Sequence, residues 1–490
     1  MSLVDIRHLY FSYEGSPEPV FDDVSFSFDT SYRLGLIGRN GEGKTTFLRL
    51  LDGTLDDGGA IDIKVPVAYF PFSITHEDIN LEDLVYLLKP EIEYWRFEKE
   101  FNLLGLDRYL LSRPYKELSG GEKTKFQLAI LFSDDDYYLL IDEPNDHLDL
   151  KGREKLAEYL HSKDNFLLVS HDRYFLDLVV DHILEFSNGN IELYNGNFSS
   201  WYQNYLDFKR YNINKNIRLK KEITRLNKSI EQATYFANKK EGEKIGNGPC
   251  DRGFIGARAK RLMKRAENIK KRKEQMVINK QRAIENIDED EELRLYPLVH
   301  PKNTLISLDY FSIVYDRKLF EPISVNINYK DIVLIEGNNG SGKTSLIKCL
   351  LKENDHYQGE LYLANNLIIS YLPQELDYLK GSITEICERE NIDIHRVYST
   401  LAKLGFEGKL YQSDVATYSM GQKKKLALVL CICKNAHLYI LDEPMNYLDI
   451  FARMMIEEDL IAKSEMTMLI VEHDKSFIDK CINKRIVLER

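Results

Sequence analysis

The sequence predicts an α/β protein made of two domains of one kind, which an α-helical hairpin joins. Four short motifs occur twice in the same order, at separations of 299 to 302 residues, and such a repeat indicates a duplicated domain. A strongly basic segment with apolar residues at helical spacing lies between the two sets. We expect a first copy at residues 1–200, a helical linker at 201–297 and a second copy at 298–490.

The composition sets the class of protein. The 490 residues are 43% hydrophobic and 29% charged, with a formal net charge of −12, as in ordinary globular proteins. Six cysteines form no C-x-x-C pair, which argues against a disulfide framework or a Cys-ligated metal site. No apolar run approaches the ~18 residues of a membrane span, and no signal peptide is recognisable. We expect a cytoplasmic protein with no membrane partner.

Each copy has the pattern of a parallel α/β unit. Short apolar runs at 33–38, 137–142 and 166–170 predict strands that are buried on both faces. DIVLIEG, LYILD and TMLIV repeat these runs in the second copy. A helix is predicted directly after the first strand of each copy.

Two glycine-rich loops follow those first strands, GRNGEGKTT at 38–46 and GNNGSGKTS at 337–345. Both match G-x-x-x-x-G-K-[ST], in which backbone N–H groups and the following helix N-terminus surround phosphates. Lys44 and Lys343 are expected to reach the phosphates, and the hydroxyls of Thr45 and Thr344 to ligate Mg²⁺. The candidate nucleotide-binding residues are Gly38, Asn40, Gly41, Gly43, Lys44, Thr45 and Thr46, and Gly337, Asn339, Gly340, Gly342, Lys343, Thr344 and Ser345.

An acidic pair ends a later strand in each copy. Asp142 and Asp442 suit a Mg²⁺ shell, and the glutamates that follow them, Glu143 and Glu443, suit the base that orients water. A structural acidic pair is the alternative. His171 and His473 follow the next strand and are candidate γ-phosphate contacts; a purely structural hydrogen bond is the alternative for them.

With LSGGEKTK at 118–125 and YSMGQKKK at 418–425, these motifs resemble those of ATP-binding cassettes, a branch of the P-loop NTPases. The resemblance implies an ATPase that uses ATP and Mg²⁺, as a monomer whose two cassettes pair head to tail. Each ATP would lie between one copy's phosphate loop and the other copy's signature. One site would join Lys44, Asp142, Glu143 and His171 to Ser419, Gly421 and Gln422; the other would join Lys343, Asp442, Glu443 and His473 to Ser119, Gly120, Gly121 and Glu122. Tyr13 and Tyr315 match the adenine-stacking aromatic, with plain strand packing as the alternative.

The two copies depart from the cassette pattern at two positions. Gln374 matches the glutamine that holds Mg²⁺ and water, but Phe72 stands at the corresponding place in the first copy. Met420 replaces a glycine of the second signature. Both departures would fall in the site with Lys44, so we expect that site to turn over more slowly. A register error at Phe72 is the alternative.

The linker is basic and helical. Residues 205–282 contain 23 Lys plus Arg and 8 Asp plus Glu, a net charge of +15 that leaves −27 on the rest. Two apolar stripes flank EGEKIGNGPCDRG at 241–253, which predicts an antiparallel hairpin. Basic side chains attract RNA phosphates; a solvated helix face is the alternative. The candidate RNA-binding residues are Phe254, Arg258, Lys260, Arg261, Lys264, Arg265, Lys270, Lys271 and Arg272.

Two cassettes with such a linker resemble the F subfamily, whose members act on the ribosome. The SMGQ signature, the run at 255–265 and the lack of a C-terminal extension resemble its Lsa-type antibiotic-resistance branch. That resemblance implies entry into the E site of the 70S ribosome and linker contacts with P-site tRNA and 23S rRNA near the peptidyl-transferase centre. Bound lincosamides, pleuromutilins or streptogramin A would be dislodged there.

Other functions stay open. The first is a housekeeping translation factor of the same subfamily that relieves stalled ribosomes. A chromosome or DNA-repair ATPase would carry its coiled coil inside a cassette, and this chain carries it between two. The soluble ATPase of a multi-chain transporter is a third alternative, against which the fused cassettes and basic linker argue.

Overall fold

The structure is a computed structural model, and its description covers part of the chain. The described residues are 2–15, 19–56, 58–134, 136–145, 148–187, 189–242, 264, 267–268, 270–280, 297–315, 317–338, 340–406, 408–461 and 465–489, of which 233–234, 236–242, 409 and 459–461 are described by their backbone alone. The chain divides into two units, Met1–Trp201 with Glu292–Arg490, and Tyr202–Glu291. Across the described ranges, no helix combines the length and the apolar character that a membrane span requires.

The first copy alternates strands and helices in the predicted order. Its strands are β1 (Leu3–Phe11), β2 (Phe21–Asp29), β3 (Arg33–Gly38), β4 (Ile61–Asp62), β5 (Val67–Phe70), β6 (Tyr138–Asp142), β7 (Phe166–Val169), β8 (His182–Ser187) and β9 (Asn190–Asn195). Its helices are α1 (Lys44–Leu51), α2 (Leu81–Leu88), α3 (Tyr94–Leu103), α4 (Gly120–Phe132), α5 (Leu150–His161) and α6 (Arg173–Val179), with 3₁₀ helices at Arg108–Ser112 and Tyr115–Glu117. The predicted strands at 33–38, 137–142 and 166–170 are confirmed to within one residue.

The described part of the basic linker includes the helices α7 (Phe198–Gly242) and α8 (270–280). Lys273 and Lys280 interrupt the apolar stripe of α8, and the side chains of both contact polar residues of α7. Lys273 donates to the hydroxyl of Ser229, and Lys280 pairs with Glu222. Residue numbers rise by seven on one helix as they fall by seven on the other, which is the register of an antiparallel pair. Residues 243–263, which include most of the predicted loop at 241–253, lie outside the described residues.

The second copy repeats the first. Its strands are β10 (Thr304–Ile313), β11 (Ile323–Asn328), β12 (Ile332–Glu336), β13 (Tyr357–Leu363), β14 (Ile369–Leu372), β15 (Leu438–Asp442), β16 (Met468–Val471) and β17 (Lys484–Val487). Its helices are α9 (Lys343–Leu350), α10 (Ile383–Glu390), α11 (Ile394–Lys403), α12 (Met420–Cys433), α13 (Ile450–Met455) and α14 (Lys475–Cys481), with 3₁₀ helices at Gly408–Gln412 and Val415–Thr417 and a π-helix at Ile456–Ile461.

A parallel sheet carries the repeated motifs in each copy. The strand order is β5-β6-β7-β3-β8-β9 in the first copy, where only β9 runs antiparallel, and β14-β15-β16-β12-β17 in the second. An antiparallel sheet, β2-β1-β4 or β11-β10-β13, completes each copy. In the first copy, apolar side chains of both sheets share one core with α1. The predicted α/β class and the two-domain plan are confirmed, and the motifs lie at the carboxyl ends of the parallel strands, where such sheets bind ligands.

The two copies contact each other through buried charges beside α6 and α14. Arg173, which opens α6, pairs with Glu457 of the π-helix, and both side chains are almost fully buried. The related contact on the other side is more exposed: the Nζ of Lys475 lies 3.1 Å from Glu154 Oε1, with 35% and 42% of these side chains accessible. The two ion pairs between the copies therefore differ in burial.

We expect Glu457→Ala to lower the melting temperature much more than Glu154→Ala. Removing one partner of a buried ion pair leaves a charge without compensation and costs about 3–5 kcal/mol, whereas a surface pair contributes about 0–1 kcal/mol. Thermal unfolding of the two variants and the parent under one buffer condition checks this. Equal shifts for the two variants would contradict the assigned difference in burial.

Candidate functional site

The phosphate loops connect β3 to α1 and β12 to α9. Gly43 and Gly342 precede the helices with φ of 91° and 99°, a conformation that favours glycine. A Cβ on Gly43 would also lie 2.5 Å from Val20 Cγ1. The Nζ of Lys44 donates to the carbonyl oxygens of Gly38 (2.7 Å) and Arg39 (2.9 Å), so the lysine is folded over its own loop.

The second loop has the same geometry. The Nζ of Lys343 donates to the carbonyl oxygens of Gly337 (2.7 Å) and Asn338 (3.3 Å). Burial lowers the pKa of both Lys44 and Lys343, and neighbouring carboxylates oppose that shift. Each lysine ammonium therefore lies in a poorly solvated loop. A bound phosphate anion would compensate for the hydration that the ammonium has lost there. Asn339, predicted to belong to this loop, lies outside the described residues.

In each copy, the threonine hydroxyl that follows the phosphate-loop lysine lies near the aspartate at the end of a later strand. Thr45 Oγ1 donates to Asp142 Oδ2 at 3.3 Å, and Tyr69 donates to the same oxygen at 2.9 Å. In the second copy, burial, followed by the charge of Glu443, raises the pKa of Asp442 to about 6. Asp442 Oδ2 is buried and accepts no hydrogen bond from any residue that the structure describes.

These donors fit Mg²⁺, which prefers oxygen ligands and binds through few protein groups plus phosphates. No cluster of three or more His, Cys, Asp or Glu side chains suited to a metal occurs among the described residues.

The two candidate bases stand in strained backbone. Glu143 and Glu443 have φ of 48° and 49°, and their N–H groups donate to Val169 (3.0 Å) and Val471 (2.9 Å). Left-handed backbone is costly for a non-glycine residue and is concentrated at functional sites. The neighbouring β-strand therefore holds each glutamate in place at the end of its own strand.

The side-chain support of the two glutamates differs. Gln374 Nε2 and Asn446 Nδ2 donate to Glu443 Oε2 at 2.9 and 2.7 Å. Phe72, at the position of Gln374, exchanges only backbone hydrogen bonds with the side chain of Gln127. Gln374, proposed as a metal ligand, thus contacts the candidate base in this structure.

The histidines after β7 and β16 are partly buried, and the pKa of each is lowered. Burial, and then Lys44, holds the pKa of His171 well below its usual value. Burial, and then Lys343, lowers the pKa of His473 to about 4. His171 Nε2 lies 3.5 Å from Glu143 Oε1, whereas His473 Nε2 contacts no hydrogen-bonding group in the described part of the chain. A neutral imidazole can donate one N–H to a phosphate oxygen.

Each signature begins a helix and faces the other copy. Ser119 and Glu122 form a capping box at the start of α4, and Ser419 and Gln422 form one at the start of α12. A cavity of about 1080 Å³ is lined by residues of both copies. They include Ser119, Gly120, Gly121 and Glu122 with Lys343, Thr344, Ser345, Gln374, Glu443 and His473.

The opposite site is also assembled across the copies. A Cβ on Gly421 would lie 2.8 Å from Asn40 Nδ2. The backbone N–H of Asn40 donates to Asp449 Oδ2 at 3.3 Å, and its side chain donates to the carbonyl of Tyr447 at 3.1 Å. The structure thus places part of the phosphate loop of each copy beside part of the signature of the other copy. Met420 also lines the cavity at Lys343, so its position is not confined to the Lys44 site, contrary to the expectation from the sequence.

Sequence analysis missed the part that Asp449 plays. Its carboxylate caps α13, pairs with Lys425 at 2.7 Å and accepts the N–H of Asn40. Burial opposes ionisation, but Lys425 prevails and the pKa of Asp449 is lowered to about 2. The available signal was an aspartate directly before a helix in both copies, at Asp149 and Asp449, where an N-cap is expected.

Tyr13 and Tyr315 are about half exposed, at 44% and 50%. The hydroxyl of Tyr13 lies 2.9 Å from Thr46 Oγ1, and that of Tyr315 accepts from Asn354 at 2.8 Å. Their stacking on adenine stays a prediction.

The described RNA-binding candidates are exposed. These are Lys264, Lys270, Lys271 and Arg272. The candidates that lie outside the described residues are Phe254, Arg258, Lys260, Arg261 and Arg265.

Comparison with known proteins agrees with this geometry. The family model described as "ABC transporter" matches residues 21–146 and 320–446, together more than half of the chain. The ribosome protection protein VmlR of Bacillus subtilis (strain 168) is 29% identical over 97% of this chain and 85% of its own length. The ATP-binding protein Uup of Buchnera aphidicola subsp. Acyrthosiphon pisum is 29% identical over 99% of this chain and 80% of its own.

Among solved structures, the chain is similar in fold to the archaeal ribosome recycling factor aABCE1 in its complex with the ribosomal stalk protein aP1. The TM-score is 0.65 at 19% identity, over 98% of this chain and 87% of that one. Tandem cassettes along the whole chain, with relatives of this kind, are consistent with the F subfamily. The chain therefore belongs to the ATP-binding cassette (ABC transporter) family, and it is an ATPase that binds ATP in its cassettes.

Proposed function

We propose that this protein is a ribosome-binding ATPase of the cytoplasm that enters the E site and dislodges antibiotics bound near the peptidyl-transferase centre. The observation that carries the proposal is a basic helical hairpin of charge +15 in a chain whose remainder carries −27. Only the hairpin would be attracted to RNA phosphates, because like charges repel the rest. The full-length similarity to a ribosome protection protein supports the same reading.

The linker would make the contacts with 23S rRNA and P-site tRNA. Lys264, Lys270, Lys271 and Arg272 present exposed cationic heads in the described part of α8 and the segment before it. Phosphate contacts of this kind position a protein on RNA without reading base sequence.

Hydrolysis would take place at the two composite sites. Lys44 and Lys343 bind the phosphates through ammonium groups already held over the loops. Mg²⁺, held by Thr45 with Asp142 and by Thr344 with Asp442, would neutralise phosphate charge. Glu143 and Glu443 orient the attacking water and accept its proton.

The remaining groups complete each site. The neutral His171 and His473 donate to the γ-phosphate, and the signature serines, Ser119 and Ser419, contact it from the other copy. Bound ATP thus holds the two copies together, and hydrolysis removes the group that both copies share. The copies then separate and the ribosome is released.

We expect Glu443→Gln to reduce total ATPase activity more than Glu143→Gln. Gln374 and Asn446 both hold Glu443, whereas Phe72 offers no side-chain hydrogen bond at the corresponding place, so the Lys343 site should carry most turnover. Loss of a general base costs roughly 10²–10⁴-fold at its own site. Steady-state phosphate release by the two purified variants checks this, and a larger loss from Glu143→Gln would contradict the asymmetry.

The double variant Glu143→Gln, Glu443→Gln should remain on 70S ribosomes in the presence of ATP, because the copies close but do not reopen. Sedimentation of ribosomes with the purified variant measures this. Adding Lys270→Ala, Lys271→Ala and Arg272→Ala should weaken retention and reduce its dependence on salt, since counterion release scales with phosphate contacts. Gln275→Ala with Asn279→Ala, two exposed neutral residues on the same helix, is the matched control. A hydrolysis-deficient variant that does not accumulate on ribosomes would overturn the ribosome assignment.

Drug susceptibility separates resistance from a housekeeping role, which the similarity to Uup keeps as the second candidate. Expression in a susceptible host should raise the inhibitory concentrations of lincosamides, pleuromutilins and streptogramin A, and the double variant Glu143→Gln, Glu443→Gln should not. Unchanged susceptibility, together with ribosome retention of the double variant, would favour the housekeeping factor.

A further inference from the structure

We infer that Glu472 is a positioning residue for hydrolysis at the Lys343 site, where its carboxylate ties the loop of His473 to the loop of Glu443. The inference rests on the proposed roles of Glu443 and His473. Glu472 itself lies beside them, and only 4% of it is exposed.

Three backbone N–H groups converge on the Glu472 carboxylate. Oε1 accepts from His473 at 2.8 Å and from Asp474 at 3.2 Å. Oε2 accepts from Met445, two residues after Glu443, at 3.1 Å. Both oxygens are therefore occupied, and one side chain spans the two loops that carry the candidate base and the candidate γ-phosphate contact.

In the first copy, two uncharged side chains connect the same two loops. Ser170, at the position of Glu472, donates to Asn145 at 2.8 Å, and Asn145 stands at the position of Met445. Ser170 also accepts the N–H of Asp172 at 3.1 Å. Methionine in place of the asparagine removes the side-chain acceptor, and the longer glutamate reaches the methionine backbone instead. The two exchanges compensate each other.

A third exchange places a lysine in the same region. Lys424 replaces Thr124 of the first copy, is buried, and donates through Nζ to the carbonyl of Asp442 at 3.2 Å. Burial lowers the pKa of Lys424, and Glu472 is the main group that opposes this shift. Lys424 lies on α12, the helix that begins with the signature of the other site. The second copy thus carries a charged set, Lys424, Met445 and Glu472, where the first carries a neutral set, Thr124, Asn145 and Ser170.

The Glu472 side chain accepts from three backbone N–H groups on the two loops, whereas one side-chain hydrogen bond, from Ser170 to Asn145, joins the loops of the first copy. Both loops should therefore be restrained more tightly in the second copy. Glu443 lies two residues before Met445, which donates to the Glu472 carboxylate, and His473 directly follows Glu472 in the chain. Loss of the carboxylate should displace both groups while leaving Lys343 and its phosphate loop in place. The effect should therefore fall on kcat rather than on ATP binding.

The test uses Glu143→Gln as the background, so that turnover reports the Lys343 site. In it, Glu472→Ser should lower kcat about tenfold with KM within about twofold, since small displacements of reacting groups are costly. The triple variant Lys424→Thr, Met445→Asn, Glu472→Ser rebuilds the neutral set of the first copy and should recover kcat to within about threefold of the background. Equilibrium ATP binding and thermal unfolding are measured on every variant.

Each outcome decides the inference. Recovery by the triple variant supports it, because a general loss of stability would worsen with two more core substitutions. An unchanged kcat in Glu472→Ser overturns it, and so does a triple variant that folds and binds ATP but stays as slow as Glu472→Ser. Adding Glu443→Gln to the background tests the proposed function separately: if turnover persists there, the role of Glu443 fails rather than that of Glu472.

Discussion

Each nucleotide site is incomplete within one copy, and closure between the copies supplies the rest. A phosphate loop offers backbone N–H groups and a lysine on one side of a bound nucleotide and leaves the other side to solvent. In this structure the signature of the opposite copy covers that side, as the approach of Gly421 to Asn40 and the shared cavity at Lys343 illustrate. A nucleotide bound between a phosphate loop and the opposite signature would contact both copies, and its binding would then favour their association.

The duplication is not symmetric, and some of its differences lie around the candidate catalytic groups. The first copy lacks the amide that holds the candidate base in the second, and the two copies join their catalytic loops with different chemistry. Since these exchanges occur in sets that preserve hydrogen bonding, both copies keep a connection between the same two loops.

Buried charge also distinguishes the contact between the copies from a simple apolar interface. Arg173 and Glu457 pair out of solvent, and Lys425 pairs with Asp449 directly beside the phosphate loop of the other copy. Buried ion pairs gain little stability over apolar contacts but tolerate only one geometry, since a displaced partner leaves an unpaired charge. Such pairs therefore favour a single register of the interface.

The sequence by itself determined the duplication, the parallel α/β class, the two phosphate loops, the acidic pairs and the basic hairpin. These depend on local order: glycine spacing, apolar runs, and charges counted along the chain. Even the lysines that interrupt the apolar stripe of α8 were visible, although their partners were not.

Only the tertiary structure decided which residues meet across long separations. That Glu472 accepts from Met445 while Ser170 bonds Asn145, or that Asn40 contacts Asp449, follows from the register of parallel strands and the closure of two copies. No local pattern records these pairings, because residues hundreds of positions apart are joined only once the sheets have formed and the copies have packed.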